Sequence, residues 1–281
     1  MLAIIGGSGF YQMENFAVVE RRDVDTPYGK PSAPLTVVEC HGQQVFFLPR
    51  HGDAHTLLPS DINYRANIWA LKQAGARQVI AVSASGSLRE ALRPGDFVVP
   101  SQYFDHTKGT RARTFFGDGL VGHISTAHPV CPELSSALAT ACRDCGHTVH
   151  ENSTYACVEG PRLGTRCESF FLRDSVKADI VGMTNVPEVF LALEAQLCYA
   201  TLALVTDYDC WMDDPTHHVT VDIVIQRFSE SISRARDVVS RLLAAPPPVN
   251  EEHRQSASKA ILTPSAVRKQ QHEILLKTLL V

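Results

Sequence analysis

The chain has 281 residues, 44% hydrophobic and 20% charged, a balance that supports a large packed core and excludes a disordered, collagen-like or coiled-coil protein. Its 26 basic and 30 acidic residues give a net charge of −4 with no dense Lys/Arg block, so nucleic acid is not an expected partner. There is no signal-peptide pattern, and the longest apolar stretch, near residues 197–205, is too short to span a bilayer; a cytoplasmic protein without a membrane partner is expected.

Short apolar runs rich in β-branched residues alternate with segments of helical period. That pattern predicts a single α/β domain with a mixed, mostly parallel central sheet flanked by helices. Residues 2–5 form the first strand and run into Gly6-Gly-Ser-Gly9, where missing side chains let backbone N–H groups approach an anion. The third glycine of a dinucleotide fingerprint is absent, Gln12 standing in its place, and no Walker sequence occurs, so a smaller anion is the expected ligand. Ser8 adds a hydroxyl to that cradle. A plain tight turn remains the alternative reading of these residues alone.

Strands at 35–39 and 45–48 follow, and the second leads into Pro49-Arg-His51, a guanidinium beside an imidazole. A helix from about Ser60 to Gln73 ends at Gly75. The strand at 78–83 runs into Ser83-Ala-Ser-Gly-Ser87, and small residues at strand C-termini are where open α/β sheets bind ligands. If their strands are neighbours, the turns at Ser8, Arg50 and Ser83 converge on one anion. A strand at 97–99, a helix at 133–145 ending at Gly146 and a strand at 155–158 come next. The strand at 180–183 precedes a helix that starts with Pro187 and Glu188 and runs to about Leu197. Cys142 and Cys145 lack the second ligand pair that zinc would want, and the eight cysteines read as reduced.

The most apolar strand, 201–206, ends in Thr206-Asp-Tyr-Asp209. Two carboxylates two residues apart share a face if the chain stays extended, and a partly buried pair cannot cheaply keep both charges. A neutral acid beside an ionised one both donates and accepts, as the N6/N7 edge of adenine requires. A capping turn is the alternative. After residue 218 a long helix runs to Pro246-Pro-Pro248. We divide the chain into a catalytic domain, 1–245, and a C-terminal extension, 246–281, whose helix at 265–280 is expected to pack late or on a neighbouring molecule.

Gly6-Gly-Ser-Gly9, Pro49-Arg-His51, Glu159-Gly-Pro-Arg162, Val181-Gly-Met-Thr-Asn-Val-Pro-Glu188 and Thr206-Asp-Tyr-Asp-Cys-Trp211 together resemble the trimeric purine nucleoside phosphorylase family, in its branch acting on 5′-methylthioadenosine. The resemblance spans about residues 1–245. It implies a purine nucleoside phosphorylase-like fold, a homotrimer, and phosphorolysis of 5′-methylthioadenosine to adenine and 5-methylthioribose 1-phosphate in purine and methionine salvage. Phosphate is then a co-substrate, and no metal or organic cofactor is implied. Position by position, Ser8, Arg50, His51, Ser83, Ala84 and Thr184 would bind phosphate, with Ser85 and Gly86 close by. Met183 would lie against the ribose, Asp207 and Asp209 would act on adenine as the catalytic acids, and His123 would be lent by a neighbouring subunit to the 5′ end.

The 6-oxopurine branch has a purine-binding glutamate after Gly-Pro-x-Phe, whereas this chain has Gly160-Pro-Arg-Leu-Gly164; with Asp207 in place of that branch's asparagine, a 6-aminopurine is expected. Leu163 stands where an aromatic would stack on the base, and Thr220 where a Val would line the methylthio group. Adenosine, 5′-deoxyadenosine and 5′-methylthioinosine therefore stay open as alternative substrates. A water-using nucleosidase and a non-catalytic nucleoside binder are the readings from other classes.

Overall fold

The computed structural model describes residues 1–7, 16–212 and 221–280, with residues 221–230 described by their backbone. In chain order the described elements are β1 (Leu2–Gly6), β2 (Ala17–Arg22), β3 (Leu35–Cys40), β4 (Gln43–Pro49), α1 (Tyr64–Gln73), β5 (Gln78–Ser87), β6 (Phe97–His106), α2 (Pro132–Asp144), β7 (Val149–Val158), α3 (Arg166–Phe170), β8 (Ile180–Gly182), α4 (Asn185–Glu194), β9 (Cys198–Asp207), α5 (Val221–Ala244) and α6 (Gln270–Leu279).

One sheet joins the strands in the order β2-β3-β4-β1-β5-β8-β7-β6-β9, and β5 also pairs with β9, so that β5, β8, β7, β6 and β9 close into a ring. The pairings β1–β4, β1–β5, β5–β9, β6–β7 and β7–β8 are parallel, and β2–β3, β3–β4, β5–β8 and β6–β9 are antiparallel. This is the expected mixed sheet. Strands covered on both faces must be apolar throughout, and β1 and β9 are buried at every residue. On one face Ile68, Trp69 and Leu71 of α1 meet Val189 and Leu191 of α4. On the other, Leu134 and Leu138 of α2 meet Val239 and Leu242 of α5. Each such side chain contributes roughly 1.5–3 kcal/mol of hydrophobic stabilisation.

The helix limits follow from local chemistry. Ser60 does not cap α1, because its hydroxyl turns to Glu159; Asn63 does, its side chain accepting the Ala66 N–H at 3.1 Å. Gly75 and Gly146 follow α1 and α2 with φ of +96° and +76°, the left-handed conformation that glycine adopts without penalty. In α4 Val186 lies outside the helical region, so regular turns begin at Pro187 as its fixed φ favours.

Two elements have no periodic signal. The edge strand β2 is exposed along its whole length, so no alternation marks it. Helix α3 has five residues and passes into a single π turn, Phe171–Ser175. Strand β6 runs seven residues beyond its predicted end: Pro100, which reads as a terminator, sits where the β6–β7 register shifts and its missing N–H is tolerated.

The extension after residue 245 packs on its own chain. Ala257, Ala260, Leu276 and Leu279 are buried, and Leu279 joins the core beneath α1 and α4. Its helix begins at Gln270 because Ser265–Val267 form a tighter 3₁₀ turn after Pro264. No helix among the described residues is long and apolar enough to cross a membrane.

Candidate active site

Parallel strands bring their carboxyl ends to one edge, and β1 lies between β4 and β5. Gly6 is level with Pro49, and the Arg50 N–H donates to the Gly6 carbonyl at 2.9 Å. The ends of β1, β4 and β5 therefore lie side by side. Gly7, Arg50, His51, Ser83, Ala84, Ser85 and Gly86 line one cavity of about 720 Å³, together with Met183, Thr184, Leu163, Gly164, Asp207 and Asp209. Ser8 and Thr220 lie outside the described residues. His123 is not on the wall of its own chain's cavity, and its N–H donates to the Ala260 carbonyl at 2.9 Å.

Arg50 is held from behind. Its Nε and Nη2 donate to the two oxygens of Glu188 at 2.7 and 2.8 Å, and Nη1 donates to the Val82 carbonyl at 2.9 Å. Both side chains are buried, with exposures of 2% and 0%. Burial works against the guanidinium charge, but the charge and hydrogen bonds of Glu188 more than offset it and hold the group above its ordinary range. Glu188 also accepts from the Tyr199 hydroxyl at 2.8 Å, which in turn accepts from Asn185 Nδ2 at 2.7 Å. The pair thus places a planar cation at the end of β4 without a net local charge. The Ser83 hydroxyl donates to the Ala84 carbonyl at 3.2 Å and lies 3.3 Å from the Tyr155 hydroxyl and 3.5 Å from that of Thr184, long contacts that an anion in the cavity can replace. Gly182 permits this arrangement: a Cβ there would lie 1.9 Å from the Tyr155 hydroxyl.

His51 stacks on His55 with centroids 4.4 Å apart. Its Nδ1 is 2.8 Å from the Leu57 carbonyl, which can only accept, so Nδ1 carries the proton and Nε2 keeps its lone pair in the neutral ring. Burial lowers the His51 pKa to about 4, and the neighbouring Arg50 charge acts in the same direction. At neutral pH the imidazole offers the cavity an acceptor.

The two acids come together differently from the extended arrangement predicted. Strand β9 ends at Asp207, and Asp209 opens a 3₁₀ turn with φ +49°. The pair is joined by that turn: the Asp209 N–H donates to Asp207 Oδ1 at 2.8 Å, while the Thr206 hydroxyl donates to Oδ2 at 2.6 Å. Asp209 accepts from the Ser169 hydroxyl of α3. Burial raises the Asp209 pKa, and the charge of Asp207 adds to the shift, so Asp209 is pushed toward protonation. Gly86 gives the acids their room: a Cβ there would lie 3.0 Å from Asp207 Oδ1 and 3.3 Å from Asp209 Cβ.

Two residues that line the cavity, His106 and Lys108, carry no sequence signal. His106 and Lys108 reach the cavity because β6 is longer than Pro100 implies. Glu159 gathers the Ser60 hydroxyl, the Lys108 N–H at 2.5 Å, the Thr110 hydroxyl at 3.1 Å and Arg111 Nε at 3.2 Å. Burial disfavours its charge, yet these donors and the Arg111 cation prevail and bring its pKa down to about 2. Met183 packs over Gly160, where a Cβ would stand 2.5 Å from its sulfur. Thr165 and Glu168 form a capping box that starts α3 and so places Ser169. The Thr-x-x-Glu spacing was a legible signal for that helix.

Comparison with known proteins places this geometry. Residues 1–244 match the sequence pattern of the Phosphorylase superfamily. An S-methyl-5′-thioadenosine phosphorylase of Hyperthermus butylicus is 49% identical over 262 residues, covering 93% of this chain and 94% of that protein. One from Geobacter sulfurreducens is 46% identical, covering 85% and 83%. Among solved structures, a methylthioadenosine phosphorylase sourced from an antarctic soil metagenomic library superimposes with a TM-score of 0.92 at 42% identity, over 100% of this chain and 98% of that one. The methylthioadenosine phosphorylase of Schistosoma mansoni in complex with adenine superimposes with a TM-score of 0.85 at 37% identity, over 93% and 98%. On the match over residues 1–244 and these similarities, the chain belongs to the Phosphorylase superfamily.

Proposed function

We propose that the protein cleaves 5′-methylthioadenosine with phosphate, giving adenine and 5-methylthioribose 1-phosphate. The observation that carries this reading is the meeting, in one cavity, of Arg50, Ser83 and Thr184 at the strand ends with the adjoining carboxyls of Asp207 and Asp209. Phosphate rests on Ser83, Ala84, Thr184 and Arg50. The neutral His51 accepts a hydrogen bond from the phosphate's own hydroxyl. Met183 lies against the ribose, and Leu163, Ser85 and Gly86 border the base. As the C1′–N9 bond loosens, the sugar becomes oxocarbenium-like and phosphate oxygen bonds C1′ from the opposite face. The electron pair of the broken bond goes to the purine, which Asp207 and Asp209 neutralise at N7. The proton that phosphate gives up on becoming an ester balances the one the purine takes up.

Gly164 leaves no acid for a 6-oxopurine N1–H, which favours adenine over hypoxanthine. Use of adenosine as a second substrate is favoured by the Schistosoma mansoni relative, named an adenosine/methylthioadenosine phosphorylase, at 38% identity. A homotrimer in which His123 serves a neighbour's 5′ pocket is supported by its position away from the cavity of its own chain.

Adenine release from 5′-methylthioadenosine, with and without phosphate and with adenosine and 5′-methylthioinosine alongside, tests the proposal. Release that depends on phosphate and is fastest from the methylthio substrate is expected. Release without phosphate would make the enzyme a hydrolase, and preference for the inosine analogue would remove the assigned base readout.

A further inference from the structure

Arg111 sits in the segment between β6 and α2, near Lys108 and Arg113, where a basic side chain would ordinarily face solvent. Its side chain is instead fully buried, and every one of its N–H groups is used. Nη1 donates to the Met183 carbonyl at 2.7 Å and the Val186 carbonyl at 2.6 Å. Nη2 donates to the Glu159 carbonyl at 2.8 Å and, longer, to the Val158 carbonyl at 3.5 Å, and Nε to the Glu159 carboxylate at 3.2 Å. The residue does not line the cavity.

Those acceptors have a common meaning. Met183 and Val186 bracket Thr184 and Asn185, the turn that delivers one hydroxyl to the anion cradle and starts the helix bearing Glu188. Val158 and Glu159 end β7 and lead to Gly160, on which Met183 packs. The same segment holds the far end of α4, since the Thr114 hydroxyl and the Phe115 N–H each donate to Glu194 at 2.7 Å. Carbonyls pointing in different directions need a planar fork; a lysine ammonium, a point charge on a flexible stem, cannot reach them together.

We propose that Arg111 is a positioning residue that fixes the Met183–Thr184 turn, and thereby the phosphate and sugar subsites, without touching substrate. The inference deepens the phosphorylase reading and rests on it for the naming of the subsites. The acid pair is anchored separately, by Thr206, Ser169 and the turn after β9, so loss of the fork acts unequally on the two ends of the cavity. A shift of about 1 Å in a positioned group costs on the order of 100-fold in rate.

The experiment compares Arg111→Lys and Arg111→Met with the wild-type full chain. Dissociation constants for inorganic phosphate and for adenine are measured by calorimetry, Michaelis constants for phosphate and 5′-methylthioadenosine by turnover, and folding by circular dichroism. The phosphate constant should weaken by about tenfold or more, with adenine affinity changing by no more than about twofold. Equal weakening for both ligands, or no change in either, overturns the proposal. Arg111→Lys keeps the buried charge and carries the same test should Arg111→Met fail to fold. Wild-type protein that binds phosphate but releases no adenine sinks the phosphorylase reading, while the binding comparison still decides the role of Arg111.

Discussion

At one end of the cavity Ser83, Thr184 and Arg50 are no more than 7% exposed, and Arg50 is locked to a Glu188 that solvent does not reach. At the other, Leu163 is 39% exposed, and the loop from Gly160 to α3 is pinned by the exposed Arg162–Glu168 ion pair. The first end is built from strand termini and a buried polar network, so its geometry is set by the sheet. The second is built from a loop and a short helix, so its geometry is set locally. The contrast suits the chemistry: phosphate is the same in every turnover, and specificity lies in the base and the 5′ substituent.

If the buried end is rigid because Glu188 neutralises Arg50, Glu188→Gln breaks it. Removing one partner of a buried ion pair leaves an uncompensated charge and costs about 3–5 kcal/mol. Urea unfolding should show a loss of that size, with a large rise in the Michaelis constant for phosphate. A loss below about 1 kcal/mol, the range of exposed pairs, would mean that Arg50 finds another counter-charge and that the two ends are not mechanically distinct.

A smaller effect is expected where the acids meet the base. Asp207→Asn keeps the shape and one of the two bonds that Thr206 and the Asp209 N–H donate to its separate oxygens, and removes the charge that balances the purine. Turnover of adenine nucleosides should fall by on the order of 100-fold, with relative use of 6-oxopurine nucleosides improving and urea stability nearly constant. Steady-state kinetics with 5′-methylthioadenosine and 5′-methylthioinosine reads both effects, and an unchanged preference between them would detach Asp207 from base recognition.

How much was legible in the sequence also divides along the cavity. Apolar strands ending in small or cationic residues announced Arg50 and Ser83, because both the burial of a parallel strand and the small residues at its end leave marks within a few positions; Thr184 came only from the family resemblance. Asp207 and Asp209 were found through an extended spacing that the chain does not adopt, since a positive φ at Asp209 turns the backbone. Glu188 was read as a dipole partner at a helix start, and its bond to a residue 138 positions away has no local signature. Arg111 drew no reading from the sequence, because burial of an arginine by distant carbonyls is a tertiary fact. Strand β2 was missed for the opposite reason, an edge that buries nothing.

The gentlest change probes the exposed end by itself. Leu163 lines the cavity without the flat face that would stack on a purine, and an aromatic contact is worth about 0.5–1.5 kcal/mol beyond its area. Leu163→Phe should therefore tighten adenine binding by roughly two- to tenfold, with no change in the phosphate constant. Because Leu163 is partly exposed and its loop is held by Arg162, Glu168 and Thr165, the larger side chain can be admitted without disturbing β7 or α4. Calorimetry with adenine and with phosphate separates the outcomes. A gain confined to adenine supports a base end that adjusts independently of the anion cradle, whereas an equal shift in both constants would show that the loop and the strand termini move as one body.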